Sequence, residues 1–356
     1  MDMLKYLLII NTGNTSTKVG LYKHREPVVV ETIKHTDEML APFHDINSQK
    51  DFREKLVFEF LSRHGIAPEQ LGAVAARGGL LRPLESGTYR VNNRMIADLI
   101  EGKRGLHASH LSAQIGRTVA KRAGVDCYVV DPISVDEFQD IARYSGHRLF
   151  ERIMLTHALN MKAVAKRHAE EQGKPYSEMA LVVAHLGTGI SLSVHRNGRM
   201  IDAINPREEG PFSPDRSGGL PVLQAVQYVL DHHLDCKTFS KMVFGNGGVF
   251  SYLGTRDFVQ VENRVENGDT QAVEVVDAMA YQVAKEIGAL ATVLSGAVDA
   301  ILLTGGMAKA DFFVNRIKRR VAFLAPVVVY PGEDEIQALA EGVFRVLSGE
   351  ETVKEY

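Results

Sequence analysis

Cysteine is scarce in this chain. Of 356 residues only Cys127 and Cys236 carry a thiol, far apart and outside any Cys-x-x-Cys spacing. That argues against a disulfide framework or a cysteine zinc site and makes the cytoplasm the expected compartment. An excess of charge of one sign is lacking too: 41 Lys and Arg against 44 Asp and Glu leave a formal net charge of −3. With both signs interspersed, neither nucleic acid nor an anionic membrane is an expected partner. No apolar segment approaches the roughly 20 residues of a membrane span, and the opening run is too short for a signal peptide. Low-complexity tracts are missing as well. What is there is a chain that is 45% hydrophobic, long enough to bury a sizeable core and to form two domains.

The stretch L-V-V-A-H-L-G-T-G-I-S-L-S, Leu181–Ser193, reads as strand, glycine turn, strand. An apolar run ends at His185 and breaks at Gly187 and Gly189. It then alternates as far as Asn197-Gly198, a hairpin signal. Glycines in such a turn let backbone N–H groups approach a ligand with no Cβ in the way, one means of holding phosphate; an ordinary tight turn is the alternative. Leu7–Lys18, L-L-I-I-N-T-G-N-T-S-T-K, repeats the pattern. Asn11 corresponds to His185 and Gly13 to Gly187, 174 residues apart and so close to half the chain. A unit repeated at the half-length points to two like domains, each offering a phosphate-facing turn to a shared cleft. Two unrelated hairpins are the rival reading.

Helical periodicity places helices at Asp51–His64, from Leu111 to a stop at Gly124, at Thr156–Glu171 and at Leu220–Asp231. Others are expected at about Asp269–Leu294, Lys309–Phe323 and Asp334–Leu347. Ser134-x-x-Glu137 reads as a capping box opening one more. Short buried strands are expected at Ala73–Ala76, Cys127–Val130, Val298–Leu303 and Pro326–Tyr330. Asn11, Arg77, Asp131, His185 and Thr304 each end an expected strand, and ligands of open α/β sheets bind outside the carboxyl ends of strands. Five polar residues at five such ends argue for a cleft. Arg77, beside Gly78-Gly79, is either an anion-binding group or a surface charge. The Gly- and Pro-rich loop Asn205–Gly219 holds Arg216, and His157 taken alone reads as an ordinary helix-surface histidine.

These residues resemble the acetate and butyrate kinase family, within the actin, sugar-kinase and Hsp70 ATPase superfamily, over nearly the whole chain. N-x-G-x-x-S-x-K at Asn11–Lys18 is similar to the family's first signature, and H-L-G-x-G-I-S with the later N-G-R to its second. R-G-G-L-L-x-P at Arg77–Pro83, G-T-Y-R-V-N at Gly87–Asn92, H-A-L-N at His157–Asn160 and G-P-F-S-P-D-R-S-G at Gly210–Gly218 resemble its butyrate kinase branch. The resemblance implies an α/β fold of two similar actin-like ATPase (ribonuclease H-like) domains flanking a nucleotide cleft. The implied domains are 1–150, with the C-terminal helix 333–356 packing back on it, and 151–332. It further implies ATP or ADP with Mg²⁺, a short-chain carboxylic acid or its acyl phosphate as partner, and a homodimer or higher homo-oligomer.

Carried over by resemblance, Asn11, Gly13, Ser16 and Lys18 belong to the phosphate and metal corner of the first domain. Asp131 and Glu335 match carboxylates associated with Mg²⁺, with Glu333 the alternative to Glu335. His157, His185 and Arg216 match residues around the transferred phosphoryl group. Gly187, Thr188, Gly189, Gly305 and Gly306 match the turns that take nucleotide phosphates and adenosine. The chain also departs from the pattern. Asn14 replaces a serine, His110 an asparagine, and A-V-A-A-R-G-G stands where acetate kinases carry H-R-V-V-H-G-G, so Arg77 would serve from a displaced position.

The chemistry suits the residues. Phosphoryl transfer mainly needs positioned reactants and donors that neutralise the equatorial oxygens. A carboxylic acid with a pKa of about 4–5 is already ionised at neutral pH and needs no general base. Cations such as Arg77 and Arg216, with a His185 donor, offset carboxylate–phosphate repulsion. A sugar or polyol kinase would instead need an Asp base. A non-catalytic nucleotide-binding or filament protein would have no use for the two arginines. Nucleotide binding is also expected to close the two halves.

Overall fold

The computed structural model describes residues 5–356. The chain divides into two compact units: the described residues up to Val135 together with Asp334–Tyr356, and Asp136–Glu333, which is inserted between them in the sequence.

In the first unit β1 (Tyr6–Thr12), β2 (Ser16–Lys23) and β3 (Glu26–Lys34) form an antiparallel meander. β4 (Leu71–Arg77) lies parallel to β1 on its other side. β5 (Thr88–Arg90) and β6 (Cys127–Val130) extend the sheet, β6 parallel to β4 and β5 antiparallel to β6. The order is β5-β6-β4-β1-β2-β3, with the short strand Lys354–Glu355 beyond β5. β4 and β6 read as unbroken apolar runs because helices cover both faces of the sheet, His110–Ala123 on one and Glu335–Ser348 on the other.

The second unit repeats this plan. β7 (Leu181–Leu186), β8 (Ile190–Arg196) and β9 (Arg199–Ile204) are the meander, and β10 (Ala300–Gly305) and β11 (Val327–Pro331) the parallel strands, in the order β11-β10-β7-β8-β9. That matches β6-β4-β1-β2-β3 strand for strand, so the repeat seen in the sequence is a repeat of topology. The β8–β9 turn has Asn197 at φ 53° and Gly198 at φ 73°, the positive pair that a two-residue hairpin turn requires. Helix Thr270–Val293 lays its stripe on the sheet; Val276, Met279, Val283 and Ile287 are fully buried, each contributing about 1.5–3 kcal/mol of transfer free energy. Helix Ala158–Glu171 covers the other face.

One expected helix is absent. Ser134 and Glu137 do not cap a helix, and a 3₁₀ turn at Asp140–Arg143 is all that follows. Both side chains have tertiary partners instead: Ser134 Oγ accepts the Leu81 N–H at 2.7 Å, and Glu137 accepts the Met200 N–H and pairs with buried Lys162, both at 2.7 Å. Helices Asn93–Glu101, Cys236–Val243, Gly248–Leu253 and Phe258–Glu266 were not expected. Among the described residues no helix is long and apolar enough to cross a membrane.

Candidate active site

The candidate residues fall into one cluster in each unit. In the first unit the register pairs Ile10 with Ala76 and Arg77 with Val130. Asn11, Arg77 and Asp131 therefore stand side by side at the carboxyl ends of three adjacent parallel strands, about 5 Å from one strand to the next. Glu335, in the first turn of helix Glu335–Ser348, ties two of them together. Its carboxylate accepts Asn11 Nδ2–H at 2.6 Å and pairs through both oxygens with Arg77 at 2.7 Å. Lys18 is the cross-strand partner of Asn11 on β2 and so shares its face of the sheet.

Asp131 is held differently. Its backbone is left-handed, φ 37°, a conformation that aspartate and asparagine adopt more readily than most residues. Its Oδ1 accepts the Ser86 hydroxyl at 2.6 Å and the Gly87 N–H at 2.7 Å. No cationic side chain pairs with it among the described residues, whereas the charge of Glu335 is matched by Arg77. An uncompensated carboxylate at a strand end suits Mg²⁺, which takes one or two protein carboxylates and completes its shell with water and substrate phosphate. Among the described residues no group of three or more His, Cys, Asp or Glu could hold a metal ion by itself.

In the second unit His185 ends β7 beside Thr304 of β10. Its Nδ1 donates to Asn160 Oδ1 at 2.9 Å, which also accepts from Thr304 Oγ1 at 3.3 Å. An amide oxygen only accepts, so this contact places an imidazole proton on Nδ1. The His157 ring stacks on His185 with centroids 4.0 Å apart, and His157 Nδ1 bonds Ser191 Oγ at 2.8 Å. His157 is thus not a helix-surface residue: it stands at the N-cap of helix Ala158–Glu171, turned toward His185. Glu333, the alternative to Glu335, lies in this cluster, 3.8 Å from His185 Nε2.

The turn Gly187–Gly189 follows His185. A Cβ on Gly189 would stand 2.3 Å from the Arg216 guanidinium, so any larger residue there would have to push that guanidinium off the turn. Arg216 also stacks on Phe244 at 4.4 Å, and its carboxylate neighbour Asp215 is 3.7 Å away, beyond hydrogen-bonding reach. Burial pulls the Arg216 pKa down against the opposing pull of Asp215, and nearby Arg207 adds to the fall. The Arg216 loop is stitched to Gly245–Gly248, whose Gly245 N–H donates to Asp215 O at 2.7 Å, while Ser213 Oγ donates to Thr188 O at 2.5 Å. Thr188 is exposed. Gly305 exchanges two backbone hydrogen bonds with Gly332, at 3.1 and 2.9 Å, and Gly306 opens onto free space.

Three contributors were missed in the sequence: Asn160, whose amide orients His185; the G-N-G-G run Gly245–Gly248 behind Arg216; and Arg53 behind the Gly13 turn. The first stood inside a quoted motif and the second was a visible glycine cluster. Arg53 looked like one more polar residue on an amphipathic helix.

Known proteins supply the context for this geometry. The model of the acetokinase family matches residues 147–326. The crystal structure of Porphyromonas gingivalis acetate kinase superposes with a TM-score of 0.80 at 18% identity, covering 96% of this chain and 100% of its own. A propionate kinase from Francisella tularensis subsp. tularensis SCHU S4 gives 0.72 at 16% identity over 95% and 98%. Acetate kinase from Entamoeba histolytica gives 0.76 at 15% over 95% and 98%. At these identities the likeness is one of fold: α/β, with two mixed sheets, in the two-domain actin-like ATPase pattern of those kinases.

Proposed function

The chain belongs to the acetokinase family, a family of carboxylate kinases, and on that premise we propose that it phosphorylates a short-chain fatty acid. The reaction is ATP-dependent transfer to the carboxylate of butyrate or a branched analogue, giving the acyl phosphate and ADP by direct in-line displacement, reversible to make ATP. One observation carries this reading. Arg216 is a cation whose side chain is only 20% exposed, held against the turn after His185 with Asp215 no nearer than 3.7 Å, a charge kept ready for an anion. The acceptor enters as a carboxylate, so the His185 cluster serves to donate hydrogen bonds and no residue has to remove a proton.

Asn11, Gly13, Ser16 and Lys18 are proposed to hold phosphate in the first unit, and Gly187, Thr188, Gly189, Gly305 and Gly306 to hold the nucleotide in the second. Arg77, oriented by Glu335, is proposed for the acid. Asp131 is the residue best suited to Mg²⁺, and Glu335 would join it only by releasing Arg77. The bound metal supplies charge neutralisation on the phosphates. The proposed homo-oligomer is supported by helix Val222–Asp231, whose Val222, Leu223, Val226 and Leu230 all lie more than half exposed.

The test is a kinetic panel of acids from two to six carbons with ATP, read by trapping the acyl phosphate as hydroxamate. At about 0.8 kcal/mol per buried methylene, butyrate should exceed acetate in kcat/KM by roughly tenfold. Equal or better use of acetate ends the butyrate assignment, and no hydroxamate from any acid returns the chain to the sugar-kinase reading. A second expected result concerns Asp131→Asn, which keeps a side chain tolerant of the left-handed backbone and removes the charge. The Mg²⁺ dependence of ATP binding by calorimetry should move to higher metal, with activity partly rescued there. Loss of a pH-dependent limb at unchanged metal dependence would identify Asp131 as a base.

A further inference from the structure

Arg53 is fully buried, and among the described residues no carboxylate pairs with it. The nearest acids on its own helix, Asp51 and Glu54, are taken by Lys50 at 3.2 and 2.7 Å. The guanidinium donates instead to carbonyl oxygens of the Gly13 turn: Nη1 to Gly13 at 2.7 Å and Ser16 at 2.9 Å, Nη2 to Asn14 at 2.9 Å. Its remaining strong partner is the neutral amide oxygen of Gln49, at 2.8 and 3.1 Å from Nη2 and Nε. Burial pulls its pKa down to about 10, which still leaves it charged at neutral pH. Burial, with Arg53 adding to it, lowers the pKa of neighbouring His35 to about 4, so that ring is neutral and supplies no further charge.

Two consequences follow from this arrangement. A trans peptide points its C=O and the next N–H in opposite directions. Binding the Gly13 and Asn14 carbonyls inward therefore turns the Asn14 and Thr15 N–H groups outward, at the exposed tip of the turn. The Thr15 carbonyl, taken by the His35 N–H at 2.8 Å, turns the Ser16 N–H away from His35 in the same manner. Successive outward N–H groups form an anion-binding concavity. Behind it sits an unneutralised positive charge, which is costly to bury. A glutamate at position 49 would pair that charge with no change of shape, yet the chain carries glutamine.

We propose that Arg53 is a positioning residue that makes the Gly13–Ser16 turn bind phosphate, and that Gln49 is neutral so that the charge of Arg53 acts through the turn on the nucleotide's phosphates. This rests on the kinase reading above and names a residue that touches no substrate. The decisive variant is Gln49→Glu, which keeps the hydrogen bonds and neutralises the charge. Its melting temperature should hold or rise, while its Kd for ATP, measured by calorimetry, increases about tenfold and that for adenosine stays as in the wild type. Arg53→Lys, which keeps the charge and loses the fork, should melt lower but lose less ATP affinity than Gln49→Glu. Unchanged ATP affinity in a stable Gln49→Glu protein overturns the proposal and leaves Arg53 a structural staple. The opposite ranking of the two variants overturns it in favour of turn geometry alone. A wild-type chain that binds no ATP removes the kinase reading and this inference with it.

Discussion

Replacing His185 by alanine should lower kcat by about 10²–10³-fold, the scale for losing one transition-state donor, with little change in KM for ATP. The expectation comes from the way the ring is fixed. Asn160 takes the Nδ1 proton, His157 stacks on one face, and Nε2 faces the Gly187 turn with the Glu333 carboxylate 3.8 Å away. With Nδ1 donating to Asn160, donation from Nε2 to a phosphoryl oxygen requires the doubly protonated ring. A histidine serving only the core predicts the reverse pattern: a lower melting temperature, with kcat of the folded fraction near that of the wild type. Steady-state kinetics combined with thermal denaturation separates the two.

Arg216→Ala should cost kcat/KM a comparable factor, about 10²–10³-fold, and should weaken acid binding as well. The guanidinium lies close to the Gly189 backbone, with its central carbon 4.4 Å from the centre of the Phe244 ring. It is already desolvated before any substrate arrives, and much of the cost of placing a cation there is met in the folded protein. Arg216→Lys should recover little, because an ammonium neither stacks as a plane nor presents a fork. Retention of more than about a tenth of wild-type kcat/KM in Arg216→Lys would show that a point charge suffices and that the planar clamp is not the reason for arginine.

Much of this is legible in the sequence itself. The β7 turn, the β8–β9 hairpin and the long helix stripe are local patterns, in which period and turn chemistry agree with the packing that follows. Strand ends were equally legible: Asn11, Arg77 and Asp131 do fall in one row, because parallel strands in register bring their carboxyl ends together. The residues that were missed act over long range. Nothing around Asn160 says that its amide will meet a ring 25 positions later. Arg53 sits 40 positions from the glycine whose carbonyl it holds, on a helix whose apolar stripe gave no sign that an arginine would be buried. The misread capping box has the same cause. Ser134 and Glu137 have the right spacing, and both found tertiary partners that displaced the local motif.

The insertion of Asp136–Glu333 within the first unit bears on the order in which the protein comes into being. During synthesis the inserted unit is complete once Glu333 has emerged, and a contiguous domain generally folds as it becomes available. The first unit begins earlier and finishes later. Its sheet lacks the cover of helix Glu335–Ser348, and Arg77 lacks Glu335, until Asp334–Tyr356 have been made. Translation would therefore close the protein from its middle outward. A nascent chain ending at Glu333 and held clear of the ribosome by a long flexible linker should present a protease-resistant second unit alongside a first unit that is still cleaved.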